Sequence, residues 1–185
     1  VDLGTVDYSG QFDQEPIRLE GNLLKTEWFE IIDIYELPDE VLEQLVKFNG
    51  DTATKIKTKN DPSGILAYTS YNHDLYLIDW INKRLEFPDL LKEIKSFVER
   101  IGSKQSLVYI EPKSSGSSVV QQARVSTKLN ILEFKMTEGD KVARLTPCIP
   151  YCEAGRVKII KGNWNKEFLD QITLFPNHPH DEAID

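Results

Sequence analysis

Short apolar blocks separated by polar turn residues dominate the chain between residues 45 and 81. Leu45–Asp51, Gly64–Tyr71 and Leu75–Ile81 carry the β-branched and aromatic residues of strands, with Asn72, His73 and Asp74 as a turn between the last two. An antiparallel meander of three strands is expected. From Pro88 the period changes: Leu90, Leu91, Ile94, Phe97, Val98 and Ile101 fall at helical spacing, and Gly102 marks the stop. Leu107–Glu111 is a continuous apolar block ending on a carboxylate, as in a strand buried inside a sheet. Beyond it the pattern predicts a helix over Ser117–Val125, a strand over Ile131–Phe134 and a short helix over Asp140–Leu145. Pro147 should stop that short helix, with no resumption before Pro150. A small edge strand at Val157–Ile160 and a helix over Trp164–Phe175 complete the series.

This order predicts an α/β fold, a mixed sheet of about five strands flanked by helices, and it resembles the order of elements in RNase H-like domains. Residues 1–44 read as a linker or arm, polar at first and then apolar at Leu23, Leu24, Trp28, Phe29, Ile31 and Ile32, a patch suited to docking on the domain of residues 45–185. The chain opens on Val1 and stops at Asp185 where a helix should begin, so it is expected to be a piece of something longer. No apolar run reaches the roughly 18 residues of a membrane helix, and no signal-peptide pattern opens the chain. A cytoplasmic protein is expected.

Charge narrows the function. A net charge of −8 argues against an autonomous nucleic-acid clamp but suits a site whose cations arrive as metal ions. Cys148 and Cys152 form no disulfide framework, and a zinc site shared with His178 and His180 is the weaker reading because ligand-pair spacing is missing.

Two predicted strands end on acids, Asp51 and Glu111, and Asp181 with Glu182 opens the last helix. If the first and fourth strands are neighbours, Asp51 and Glu111 sit side by side where ligands gather in α/β sheets. Three converging carboxylates repel one another unless hard cations such as Mg²⁺ or Mn²⁺ lie between them. Two such ions about 3.5–4 Å apart can activate water and stabilise the leaving oxygen of a phosphodiester.

The words around these acids carry a resemblance. Phe48–Thr54 (FNGDTAT), Asn60–Gly64 (NDPSG), Leu75–Pro88 (LYLIDWINKRLEFP), Val108–Gln121 (VYIEPKSSGSSVVQ), Gly139–Arg144 (GDKVAR), Glu153–Val157 (EAGRV) and Trp164–Asp185, ending FPNHPHDEAID, stand in one order over nearly the whole chain. Together they resemble the C-terminal nuclease domain of phage terminase large subunits, and Gln11–Pro16 with Leu23–Trp28 resembles the segment joining it to the motor ATPase. No G-x-x-x-x-G-K-[ST] phosphate loop occurs, so the ATPase half is not in this chain.

The resemblance implies an RNase H-like endodeoxyribonuclease of a phage or prophage, cutting concatemeric viral double-stranded DNA by a two-metal mechanism with Mg²⁺ or Mn²⁺. It implies Asp51, Glu111 and Asp181 as metal-binding, catalytic acids. Glu182 departs from the family's second aspartate, and with Asp185 and His180 it is an auxiliary candidate. Lys113, Lys141 and Arg144 are candidates for phosphate contact, and Ser114–Ser117 forms a small-residue turn beside Glu111. Implied partners are the N-terminal ATPase domain, the terminase small subunit and the portal, in the cytoplasm of a bacterial host. Competing readings are another RNase H-like nuclease, of resolvase or transposase type, and a non-cleaving module that tethers DNA or the motor.

Overall fold

The computed structural model describes residues 22–51, 62–111, 116–134, 139–178 and 183–184. Among them, β1 (Glu30–Ile32), β2 (Lys47–Asp51), β3 (Ser63–Tyr71), β4 (Asp74–Lys83), β5 (Leu107–Ile110), β6 (Asn130–Glu133) and β7 (Val157–Ile160) form one sheet in the order β1-β7-β4-β3-β2-β5-β6. β3 pairs antiparallel with both β2 and β4, and the other pairings are parallel. The sheet is mixed, as expected, with seven strands rather than about five. Val157–Ile160 is no edge strand. It lies between β1 and β4 because its residues pair on both sides, and β1, drawn from the segment read as an arm, takes the edge.

The β3–β4 hairpin turns on Asn72 and His73, both left-handed at φ 48° and 68°, the backbone that two-residue hairpins demand. Asp74, read as a turn residue, already pairs in β4. Within the hairpin the register shifts: Ala67 pairs with Asp79 and Tyr68 with Leu77, leaving Ile78 as the extra residue of a bulge. The Asp79 carboxylate accepts from the Trp80 amide at 2.8 Å and from Arg100 at 2.9 Å, pinning the bulge to the helix above it.

Helix α1 spans Asp39–Leu42, α2 Phe87–Ile101 and α3 Gly116–Ser126. Leu90, Leu91, Ile94, Phe97 and Val98 of α2 and Val120 and Ala123 of α3 bury against Phe48, Ile65, Val108 and Ile110 on one face of the sheet. Phe48 and Phe97 meet edge to face, their centroids 5.3 Å apart. Gly102 ends α2 in close quarters, since a Cβ there would come within 2.9 Å of the Phe48 ring.

The opposite face is covered by α4 (Lys141–Leu145), α5 (Ile149–Glu153) and α6 (Asn165–Leu174). Phe168, Leu169 and Ile172 of α6 bury against Leu77, Trp80 and Ile159, and Leu24 and Phe29 of the upstream segment join the same cluster. The chain does not leave the helical state at Pro147. A 3-10 turn over Thr146–Cys148 links α4 to α5, with each proline in the first turn of its element, where its missing N–H costs nothing.

Phe48, fully buried between two strands and α2, tests this core. Phe48→Ala should lower stability by about 3–5 kcal/mol in urea unfolding followed by circular dichroism. A loss under about 1 kcal/mol would mean that the face under α2 repacks freely.

Candidate metal centre

The parallel register of β2 and β5 brings the two strand-end acids to neighbouring positions. Gly50 pairs with Ile110, and the Glu111 amide donates to the Gly50 carbonyl at 3.3 Å, so positions 51 and 111 continue one ladder. Phe48, Val108 and Ile110 belong to the face under α2. By strand alternation Asn49, position 51, Tyr109 and Glu111 fall on the α6 face. Both strands run the same way, so the two acids occupy the same end of the sheet, where β5 departs from the meander.

The row continues across the sheet. Position 51 pairs with Gly64, and Gly64 with Asn82 of β4. Asn82 reaches the α6 face because of the bulge: Leu77 and Trp80, three residues apart, both pack under α6, and Asn82 follows Trp80 in phase. Its Nδ2 donates to Glu167 Oε1 of α6 at 3.1 Å. Its carbonyl oxygen and that of Asn49 are buried without a hydrogen-bond partner among the described residues. A buried acceptor left bare costs about 1–3 kcal/mol. Deeper on the same face, burial and the neighbouring Tyr109 push the Tyr68 hydroxyl pKa above its ordinary value.

His180, Asp181, Glu182 and Asp185 lie outside the described residues, as do Lys113, Ser114 and Ser115. Ala183 and Ile184, next to the acidic pair, pack in the α6-face cluster, and the Ala183 amide donates to the buried Gln171 at 3.1 Å. Lys141 and Arg144 sit on α4, whose Leu145 packs into that cluster too. Arg144 donates to the Gly139 carbonyl at 3.2 Å. Among the described residues no three His, Cys, Asp or Glu side chains converge on a point. What the described part of the row offers is oxygen, the Glu111 carboxylate and the Asn82 amide carbonyl, with the Asn49 carbonyl one row deeper on the same face, donors of the kind that a hard divalent cation takes.

Sequence reasoning did not single out Asn49, Asn82 or Glu167. Asparagine is disfavoured in strands, so Asn49 and Asn82 could have been noticed, though Asn130 on β6 shares that signal. A groove of about 670 Å³ lies on the other face, between Val41, Ile78, Ile101 and the Asp79–Arg100 pair, away from the acids. Cys148 is exposed and Cys152 buried, both as free thiols. Burial, then the neighbouring Cys148, pushes the Cys152 thiol up to about 11.

The family described as Terminase RNaseH-like domain matches residues 42–185. No curated protein sequence matches the chain. Among solved structures, the human cytomegalovirus terminase nuclease domain superposes with a TM-score of 0.63 at 14% identity, over 87% of this chain and 90% of that one. The large terminase nuclease from thermophilic phage G20c, with bound cobalt, gives 0.61 at 10% identity, over 91% and 94%. The large terminase of another thermophilic bacteriophage gives 0.58 at 12% identity over 82% of this chain, which spans 35% of that protein. Identities this low speak for the fold alone.

The thiols give this face a chemical readout. Iodoacetamide at about pH 8.5 should alkylate Cys148 at least roughly ten times faster than Cys152, because only a thiolate attacks and Cys152 is both covered and held protonated. Peptide mass spectrometry over a time course reads the two rates. Equal rates would show that α5 opens readily.

Proposed function

The chain belongs to the terminase RNaseH-like domain family, and from that premise we propose that it is a divalent-metal-dependent endonuclease that cuts concatemeric viral double-stranded DNA during packaging. The observation that carries the reading is the shared ladder of β2 and β5, which sets positions 51 and 111 side by side at one end of the sheet. The cobalt in the similarly folded G20c nuclease supports use of a divalent ion.

In this reading Asp51, Glu111 and Asp181 hold two Mg²⁺ or Mn²⁺ ions. Such ions, when bound, supply a nucleophilic water near neutral pH and neutralise the leaving oxygen of the phosphodiester. The protein's own contribution is to carry Asp51 and Glu111 at the ends of two paired strands, whose ladder fixes the backbone there. Glu182, Asp185 and His180 support this set from around it, and Lys113, Lys141 and Arg144 position phosphates. The partners are an ATPase motor domain of the same protein, the terminase small subunit and the portal. With a net charge of −8, the isolated domain holds DNA weakly and relies on those partners for grip.

Asp51→Asn, Glu111→Gln and Asp181→Asn should each reduce Mn²⁺-dependent nicking of supercoiled plasmid to background. Their melting temperatures without metal should be unchanged or raised, because each removes one of several mutually repelling charges. Near wild-type cleavage by any one variant would remove that residue from the set, and intact binding with no cleavage by the wild type would make this a tether.

Glu182 separates a direct ligand from a supporting group. If Asp181 and Glu182 open a helix, as their sequence predicts, they point about 100° apart and cannot face one ion equally. Glu182→Ala should therefore lose about 10–100-fold in cleavage rate, and Glu182→Asp should keep it. Complete loss in Glu182→Asp would show the third ligand to be the glutamate.

A further inference from the structure

We propose that Asn82, aimed by Glu167, is a positioning residue of this centre, its carbonyl oxygen accepting a hydrogen bond from a water held between it and the metal-binding carboxylates. The inference rests on the metal-site reading above and adds to it a residue from β4.

Four observations converge. An ionised carboxylate only accepts hydrogen bonds, so the side of the Asn82 amide facing Glu167 at 3.1 Å must be its NH₂. The carbonyl is then turned away from α6. That carbonyl oxygen is buried and has no partner among the described residues. Polar groups in that state call for water or a ligand. Asn82 stands in register with Gly64 and, through it, with position 51. Gly64 puts no side chain between them. Finally, the bulge that phases Asn82 onto this face is itself fastened, by the Asp79 contacts to the Trp80 amide and Arg100.

The span fits a mediated contact. Two ladder steps separate positions 51 and 82, roughly 9–10 Å between backbones. That is long for two short side chains to bond directly and suits one water between them. A single oxygen fixed in this way orients the water without adding charge to a carboxylate cluster. The simpler alternative makes Asn82 only a tie between β4 and α6.

The two roles differ in metal response. Thermal shift against Mn²⁺ concentration, run on the whole chain alongside plasmid nicking, reads both. Asn82→Ala should raise the half-saturating Mn²⁺ concentration about 10-fold or more and lower the nicking rate similarly. Its metal-free melting temperature should stay near or above wild type, since a bare acceptor is removed. Glu167→Ala, which frees the amide to rotate, should move Mn²⁺ half-saturation in the same direction by less. Glu167→Gln still offers an acceptor to Nδ2 and should restore it. A simple tie predicts a lower melting temperature with unchanged half-saturation. Half-saturation in Asn82→Ala within about two-fold of wild type would overturn the proposal. If Asn82→Ala does not fold, equal half-saturation in Glu167→Ala and Glu167→Gln overturns it. Asp51→Asn keeps the two readings apart. If it abolishes the Mn²⁺ response while Asn82→Ala does not, the Asn82 inference alone fails, and if it leaves the response intact the metal site fails first.

Discussion

β2 is held on both flanks, by antiparallel β3 and parallel β5, while Phe48 is locked beneath α2 against Phe97. A slip of one residue would carry Phe48 to the opposite face and every residue after it with it. The register of this five-residue strand therefore sets where the chain emerges after Gly50. Because β5 is bound to β2 through the same ladder, the acids at positions 51 and 111 inherit their proximity from apolar packing a few residues upstream. Neither carboxylate has to contribute to stability for the pair to be assembled.

A second constraint acts through the hairpin. Regular alternation along β4 would put Leu77, Asp79 and Ile81 on one face. The bulge at Ile78 breaks that phase, so Leu77 and Trp80 both pack under α6 while Asp79 turns to Arg100 on the other side. The Trp80–Phe168–Trp164 edge contacts, at 5.4 and 5.2 Å, make the new phase costly to undo. Asn82 and its bond to Glu167 follow from that packing. One inserted residue thus connects the hydrophobic face under α6 with the polar row above it.

This explains what the sequence could and could not reveal. The meander, α2 and the buried β5 were legible because block length and period are local properties, whereas the adjacency of the acid-bearing strands stood only as a condition until the β2–β5 ladder supplied it. The family words pointed further, to Asp181, which no period could mark and which lies outside the described residues. The place of β7 inside the sheet was not legible, since Val157–Ile160 is four residues long and its neighbours come from residues 30–32 and 75–77. The helical turns after Pro147 were misread because proline was taken as a stop when it stood in first-turn positions. Asn82 was invisible for a different reason. Its importance depends on the phase of β4, and only the pairing with β3 shows that Ile78 is extra.

The end of the sheet that holds the acids is also where the polar groups are least satisfied. Under α2 and α6 the core is closed and apolar, and the strand ladders answer the backbone. At the row of Glu111, position 51, Gly64 and Asn82 the same sheet keeps a carboxylate half-buried, and among the described residues the Asn82 oxygen there and the Asn49 oxygen one row deeper have no hydrogen-bond partner. A protein selected for stability alone would place apolar side chains or paired donors there. The deficits all have one sign: they are oxygens lacking donors or cations. Water or a hard cation offsets a deficit of this sign, whereas an anion or an apolar ligand would not. The apolar core thus fixes the positions of acceptors that the fold itself does not satisfy.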